Sequence, residues 1–304
     1  MNNKVSIFIL TYNQEKFIGQ TLESILSQKT NFEFQLVIGE DHSTDSTRII
    51  CEKYAKENPI RIKLLPSLEC NIGLIKNYIR TIQECDGKYI AICDGDDYWI
   101  DDQKLQKQVD FLESNPDFSI IYTNIELLFK DGTRKIWEPI ISKKDTQFDD
   151  LVFANHIPSV SVLFKNNQSH TEKLPSWILK YPFGDWPTYL WTIRNGGCIH
   201  YLNEITAVYR IDAGISTEMR RVNSNILKIN LNILQDVFQD NDFASKKEIT
   251  AKAILNLKKS LMLSFNRENR YHKGFIQFLK NLKETGVNYI DLKMYLYSIY
   301  KSFI

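Results

Sequence analysis

Three aspartates crowd into four residues at Asp94-Gly95-Asp96-Asp97, directly after the apolar run 88–93. That run, Lys-Tyr-Ile-Ala-Ile-Cys, is rich in β-formers and has the length of a buried strand. Carboxylates set this close at a strand's end repel one another unless a cation offsets their charge. A divalent metal with a phosphate beyond it is therefore the chemistry the cluster suggests. A solvated acidic turn with a capping aspartate is the plainer alternative.

What positions these residues is an alternation of strand and helix signals. Apolar runs at 5–10, 34–39, 61–65, 88–93 and 119–123 read as strands. Between them, 14–28, 47–56, 73–85 and 102–114 carry apolar residues at helical spacing, as with Phe17, Ile18, Leu22, Ile25 and Leu26. Ser43-Thr44-Asp45-Ser46 is a helix-start signal, and Pro59 and Asn115-Pro116 are stops. Short links between strands and helices predict an α/β fold with a mostly parallel, doubly wound sheet. From about residue 130 the pattern loosens. Strands are expected at 159–164 and 198–209, with a loop over 182–187 running into a helix. Beyond 222 the chain reads as helical to its end.

In an open α/β sheet, ligands bind beyond the carboxyl ends of the strands. The first strand ends at Thr11-Tyr12, the second at Asp41 and the fourth at Asp94-Gly95-Asp96-Asp97, so one site lined by Thr11, Tyr12, Asp41, Asp94 and Asp96 is expected. Mg2+ and Mn2+ bind through one or two carboxylates plus substrate phosphates. An extended Asp-Gly-Asp places Asp94 and Asp96 on one side, and Gly95 leaves room for a sugar nucleotide. Asp41 can accept a hydrogen bond from the imide N–H of uracil or thymine, and Tyr12 offers a stacking face. Competing motifs are missing: there is no GxxxxGK[ST] and no GxGxxG after the first strand. Asp94–Trp99 starts like a calcium loop but has Trp99 where that loop needs glycine.

The 304 residues are 43% hydrophobic and 25% charged, with net charge +1, so nothing global points to nucleic acid. The charge is uneven, however. Residues 246–304 hold 12 lysines and arginines against 4 acids, a balance of +8. Such a segment suits an anionic or membrane-surface partner, or forms a basic solvated face. Five scattered cysteines, Cys51, Cys70, Cys85, Cys93 and Cys198, without paired spacing, fit a reducing cytoplasm. No signal-peptide pattern opens the sequence, and no apolar run approaches the roughly 20 residues of a membrane span. A cytoplasmic protein, soluble or peripheral on the inner face of the membrane, is expected.

These residues resemble a known family. Val5–Thr11 with Tyr12-Asn13 is similar to the opening strand of family 2 glycosyltransferases, which have the GT-A fold. Glu40-Asp41-His42-Ser43-Thr44-Asp45-Ser46-Thr47 resembles their DDGSTDGT-type segment. Asn71-Ile72-Gly73 with Lys76-Asn77 resembles their NxGxxxARN stretch, with lysine for arginine. Asp94-Gly95-Asp96-Asp97-Tyr98-Trp99 resembles their DxDDxW block. The four motifs follow the family's order within the first 105 residues.

The resemblance implies a metal-dependent inverting transferase. It would move a sugar from a nucleotide-diphosphate donor, UDP above all, to a glycan or lipid-linked saccharide during surface polysaccharide synthesis. By the same resemblance Asp41 contacts the base and Thr11 and Tyr12 flank it. Asp94 faces the ribose or diphosphate, Asp96 binds Mn2+ or Mg2+, and Asp97 supports the sugar or the loop. The implied domains are 1–215, catalytic, with a nucleotide-binding half to 105 and an acceptor half after it, and 216–304, helical.

Inverting transfer needs a carboxylate to take the acceptor hydroxyl's proton. Gly184-Asp185-Trp186 is similar to the family's ED-W segment with glycine for glutamate, which makes Asp185 the expected base; a helix cap is the plainer role. Where relatives carry YRxH, this chain has Tyr209-Arg210-Ile211-Asp212. Arg210 is a diphosphate contact and Asp212 a metal ligand in this reading, or else Asp212 is a turn residue. His156 and the run 158–161 fall where relatives shape the acceptor pocket. The alternatives are an inactive sugar-nucleotide-binding module and a nucleotidyltransferase. The latter is disfavoured by Thr11-Tyr12-Asn13-Gln14 in place of a glycine-rich phosphate loop. The basic C-terminal helices are expected to touch a membrane, pack internally or form a homodimer.

Overall fold

Every residue of the first strand, β1 (Val5–Thr11), is buried, and the first part of the molecule is organised around it. The computed structural model describes residues 3–168, 173–211, 222–286 and 289–302. The chain separates into two compact units, one of Met1–Leu151 with Asn155–Gly214, the other of Val152–Ala154 with Ile215–Ile304.

In the first unit, β1 is followed by α1 (Ile18–Leu26), β2 (Phe34–Glu40), α2 (Thr47–Glu57), β3 (Ile62–Leu64), α3 (Leu74–Ile82) and β4 (Tyr89–Ile92). Next come β5 (Tyr98–Trp99), α4 (Lys104–Ser114), β6 (Phe118–Leu128), β7 (Arg134–Ile136), β8 (Asp145–Thr146) and α5 (Phe148–Leu151). The unit ends with β9 (Leu163–Lys165), α6 (Asp185–Thr192) and β10 (Cys198–Arg210). One sheet runs in the order β3-β2-β1-β4-β9-β6-β10-β5, with β7 on β6 and β8 on β10. The first four strands, β1 to β4, are parallel to one another. Beyond them the sheet is mixed. β9 lies antiparallel to both β4 and β6, β10 is parallel to β6, and β5 returns antiparallel to β10.

The strand expected at 159–164 is shortened. Ser161 donates from both its N–H and its hydroxyl to Pro158 O, which closes Ser159–Ser161 into a 3-10 turn, and the strand starts only at Leu163.

Alternation along β1 sets the two faces of the sheet. Val5, Ile7 and Ile9 pack with Ile18, Leu22 and Ile25 of α1 and with Leu105, Val109 and Leu112 of α4. Phe8 projects from the other face, its ring centroid 4.8 Å from that of Tyr78 on α3. The second unit is helical: α7 (Asn223–Gln239), α8 (Lys247–Arg267), α9 (Tyr271–Thr285) and α10 (Tyr289–Lys301). Among the described residues no helix is long and apolar enough to cross a membrane.

Among the polar residues buried in the first unit, one is a lysine. Lys104 is fully buried. Its Nζ donates to Gln108 Oε1 at 2.7 Å and lies 4.3 Å from the Trp99 ring centroid. Burial lowers its pKa to about 7, against smaller opposing effects of Cys93 and Asp101. The unfolded chain holds this proton up to the ordinary lysine pKa of about 10.4. Between those values the unfolded state binds more protons, so the lysine's contribution to stability rises with pH. The wild type should therefore gain melting temperature relative to Lys104→Met as pH rises from 6 to 9. A difference constant across that range contradicts the buried, deprotonating lysine.

Candidate active site

Asp94-Gly95-Asp96-Asp97 is a tight turn, not the extended segment expected from its pattern. Asp97 N donates to Asp94 O at 3.0 Å, and Gly95 N donates to Leu10 O at 2.8 Å, which ties the turn to the end of β1. The hydroxyl of Thr21 on α1 lies 2.6 Å from Asp97 O and 3.0 Å from Gly95 O. Gly95 has a reason within the protein besides the one expected. A Cβ there would stand 2.5 Å from Gln14 Oε1 and 2.7 Å from Thr11 Oγ1. The protein's own β1 end already demands glycine.

Burial works against the charged form of all three carboxyls of the turn. Burial, followed by Asp96 and Asp185, pushes the Asp94 carboxyl up to about 8. Burial also raises Asp96, opposed by its own backbone N–H, Arg210 and Gln14. Asp97 is held well above the usual carboxylate range, again chiefly by burial and then by Asp96. Arg210 is the cation at hand. Its N–H donates to Asp97 Oδ1 at 2.8 Å and its guanidinium to Asp96 O. The guanidinium lies 4.7 Å from the ring centroids of both Phe17 and Tyr98 and also donates to Gln20 Oε1. Arg210, expected as a diphosphate contact, thus braces the acidic turn.

Asp41 follows β2, and its N–H donates to Thr11 O at 3.1 Å, so the ends of β1, β2 and β4 meet at one edge. Its Oδ1 accepts Ile72 N at 2.9 Å; its Oδ2 accepts Gly73 N and Asn71 Nδ2, both at 3.0 Å. Asn71 and Gly73 therefore hold Asp41, while Lys76 is exposed on the first turn of α3. A carboxylate has about four acceptor positions, so these three bonds leave Oδ1 one more. Tyr12 is half-buried beside the buried Thr11.

Asp185 opens α6 as its first residue, after Gly184 at the N-cap. Its Oδ2 accepts Asn155 Nδ2 at 3.0 Å. It lies near enough to the acidic turn to raise Asp94. Gly184 has an ordinary φ of −116°, but a Cβ there would stand 2.7 Å from the Tyr78 ring. Tyr78 OH in turn donates to Thr188 Oγ1, one turn into α6, at 3.0 Å. The ring of Tyr78 fills the space that a larger residue at 184 would take. His156 is buried with its Nε2 3.0 Å from Thr146 Oγ1. Asp212 lies outside the described residues.

Sequence reasoning missed Gln14, Thr21, Tyr78 and Asn155. Only Tyr78 had a signal, as an aromatic in the apolar stripe of α3.

The donor set suits a hard divalent cation. Asp97 Oδ2 is a buried oxygen without a hydrogen-bond partner among the described residues, and all groups on the turn are oxygen donors. No three His, Cys, Asp or Glu side chains among the described residues would hold an ion by themselves. A cation here would be completed by phosphate oxygens.

The sheet, parallel through β4 and mixed beyond it, carries a tight acidic turn at the end of β4, and comparison places this fold. The chain belongs to glycosyl transferase family 2, whose model matches residues 6–167. It is 34% identical over 210 residues to an uncharacterized Mycobacterium tuberculosis protein, covering 68% of this chain and 58% of that one. The chain thus spans little more than half the length of that relative. It is 30% identical over 208 residues to the putative teichuronic acid biosynthesis glycosyltransferase TuaG of Bacillus subtilis, covering 68% of this chain and 79% of TuaG. The fold is GT-A, as in the crystal structure of S. aureus TarS 1–349 with UDP-GlcNAc. That structure superposes with a TM-score of 0.62 at 16% identity, over 94% of this chain and 93% of the other.

The packing of Gly184 on Tyr78 has a measurable consequence. Gly184→Ala should destabilise the protein by about 1–3 kcal/mol, the usual cost of overpacking. In a Tyr78→Ala background most of that cost should vanish, as read by a double-mutant cycle in chemical denaturation. Additive effects contradict the contact.

Proposed function

We propose that the protein is an inverting glycosyltransferase. It transfers a sugar from a UDP-linked donor to a hydroxyl of a glycan or lipid-linked saccharide in surface polysaccharide synthesis. The observation that carries this reading is the convergence of Asp185 with the acidic turn. A carboxylate from the second half of the unit lies close enough to Asp94 to raise its pKa. A base for the acceptor and a seat for the diphosphate thus share one place.

In this reading the base of the donor meets Asp41, whose Oδ1 keeps an acceptor position for an imide N–H, and stacks against Tyr12. The diphosphate lies over the 94–97 turn. Asp96 and Asp94 would hold Mn2+ or Mg2+, which when bound offsets charge on the departing diphosphate. Asp185, oriented by Asn155, takes the proton from the acceptor hydroxyl as that oxygen attacks the anomeric carbon. The bond to the diphosphate oxygen breaks on the opposite side, so the configuration inverts. Support for UDP comes from Asp41 and from TarS, a GT-A protein solved with UDP and with UDP-GlcNAc. Support for a polysaccharide acceptor comes from the likeness to TuaG.

The test is a hydrolysis panel of UDP-glucose, UDP-galactose and their N-acetyl forms, with dTDP- and GDP-sugars as controls, in Mn2+. One UDP-sugar should turn over. With its acceptor supplied, Asp185→Asn should lower transfer by about 10²–10⁴-fold, the usual worth of a general base, and leave UDP affinity unchanged. UDP binding without turnover of any donor would make the protein a binding module and sink the proposal.

A further inference from the structure

Helix α10 presents its apolar side outward. Its inward side carries Asp291, Tyr295 and Ser298, all buried. Asp291 pairs with Lys259 of α8 at 2.6 Å, Ser298 Oγ accepts Asn266 Nδ2 of α8 at 2.7 Å, and Tyr295 stacks on Phe278 of α9 at 4.4 Å. The outward side carries Tyr289, Ile290, Leu292, Leu296, Tyr297 and Tyr300, each between 40% and 76% exposed. At 3.6 residues per turn these positions fall on one half of the helix. Single exposed apolar residues are ordinary; six on one helix face mark an interaction surface. Helix α9 adds exposed Phe275, Ile276 and Leu279.

The charges on this face select its occupant. Lys293 stands within the outward stripe of α10 and Lys301 at its end, and Lys280 and Lys283 lie exposed on α9. A twofold contact between two copies would set like faces together, with lysines on both sides and no acidic residue on the outward side of α10 to pair them. An anionic lipid surface instead takes the lysines at its phosphates. It also seats tyrosines, whose rings are apolar and whose hydroxyls stay wet, at the headgroup level.

We propose that the outward face of α10, with the exposed residues of α9, docks the protein on an anionic membrane surface. The inference concerns the helical unit and stands independently of the reading of the acidic turn. It is tested by sedimenting the full chain with vesicles of equal parts phosphatidylglycerol and phosphatidylcholine, or of phosphatidylcholine alone, at low and high salt. The wild type should bind the anionic vesicles, and salt should weaken the binding. Leu296→Glu should abolish it, and Lys293→Glu with Lys301→Glu should lower it by about tenfold or more. Circular dichroism confirms that these exposed substitutions keep the fold. The proposal is overturned by equal or absent binding to the two vesicle types, or by variants that bind as the wild type does. A soluble dimer dispersed by Leu296→Glu, without vesicle binding, also overturns it.

Discussion

Three carboxylates share one four-residue turn, and one arginine is set against them. Burial alone would favour protonating all three, so the site's charge depends on what surrounds it. Arg210 reaches the turn because β5 and β10 pair antiparallel, with Val208 opposite Tyr98 and Ala207 opposite Trp99. That pairing brings a residue from the end of the unit back to the end of β4. The Thr21 hydroxyl from α1 and the Leu10 carbonyl from β1 secure the turn from the other side. Among the described residues one arginine faces three buried acids, so the turn takes up its full negative charge only when a further cation joins it. A phosphate approaches such a place only together with a cation.

Helix α3 connects the two ends of the proposed chemistry. The loop before it supplies Asn71, Ile72 and Gly73 to Asp41, and Asn77 Nδ2 donates to Gly39 O at 2.7 Å. One residue on, Tyr78 packs on Phe8 of β1, on Gly184 and, through its hydroxyl, on Thr188. The helix that aligns the proposed base-recognition carboxylate therefore also seats α6, which carries Asp185. Glycine at 184, in place of the glutamate of similar segments, is matched to the tyrosine at 78. This packing gives the replacement a physical reason other than loss of function.

Much of the first hundred residues was legible because parallel strands buried on both faces read as unbroken apolar runs. Val5–Thr11 and Phe34–Glu40 are such runs, and the helices between them show one-sided apolar spacing. Beyond β4 the signal fails for a physical reason. β9 is three residues long and β5 two, too short for any period to show, and their antiparallel pairing is decided by partners far along the chain. The acidic turn was legible as a cluster of like charges, but its conformation was not. Two aspartates flanking a glycine look the same in a strand and in a turn. Arg210 as a brace, Tyr78 as a filler and Gly95 as a close contact of Thr11 depend on residues 84 to 114 positions away, and no local pattern encodes such contacts. The outward apolar face of α10 was hidden likewise, since a helical stripe does not say which side the bundle takes.

The central claim is that the 94–97 turn seats a divalent cation together with the donor's diphosphate. Crystals grown with UDP and Mn2+, measured at the manganese absorption edge, test it most directly. The account predicts one anomalous peak within bonding distance of an Asp96 or Asp94 carboxylate oxygen and of the UDP phosphates. Ordered UDP with no manganese peak at the turn, or a peak bound only elsewhere, contradicts it.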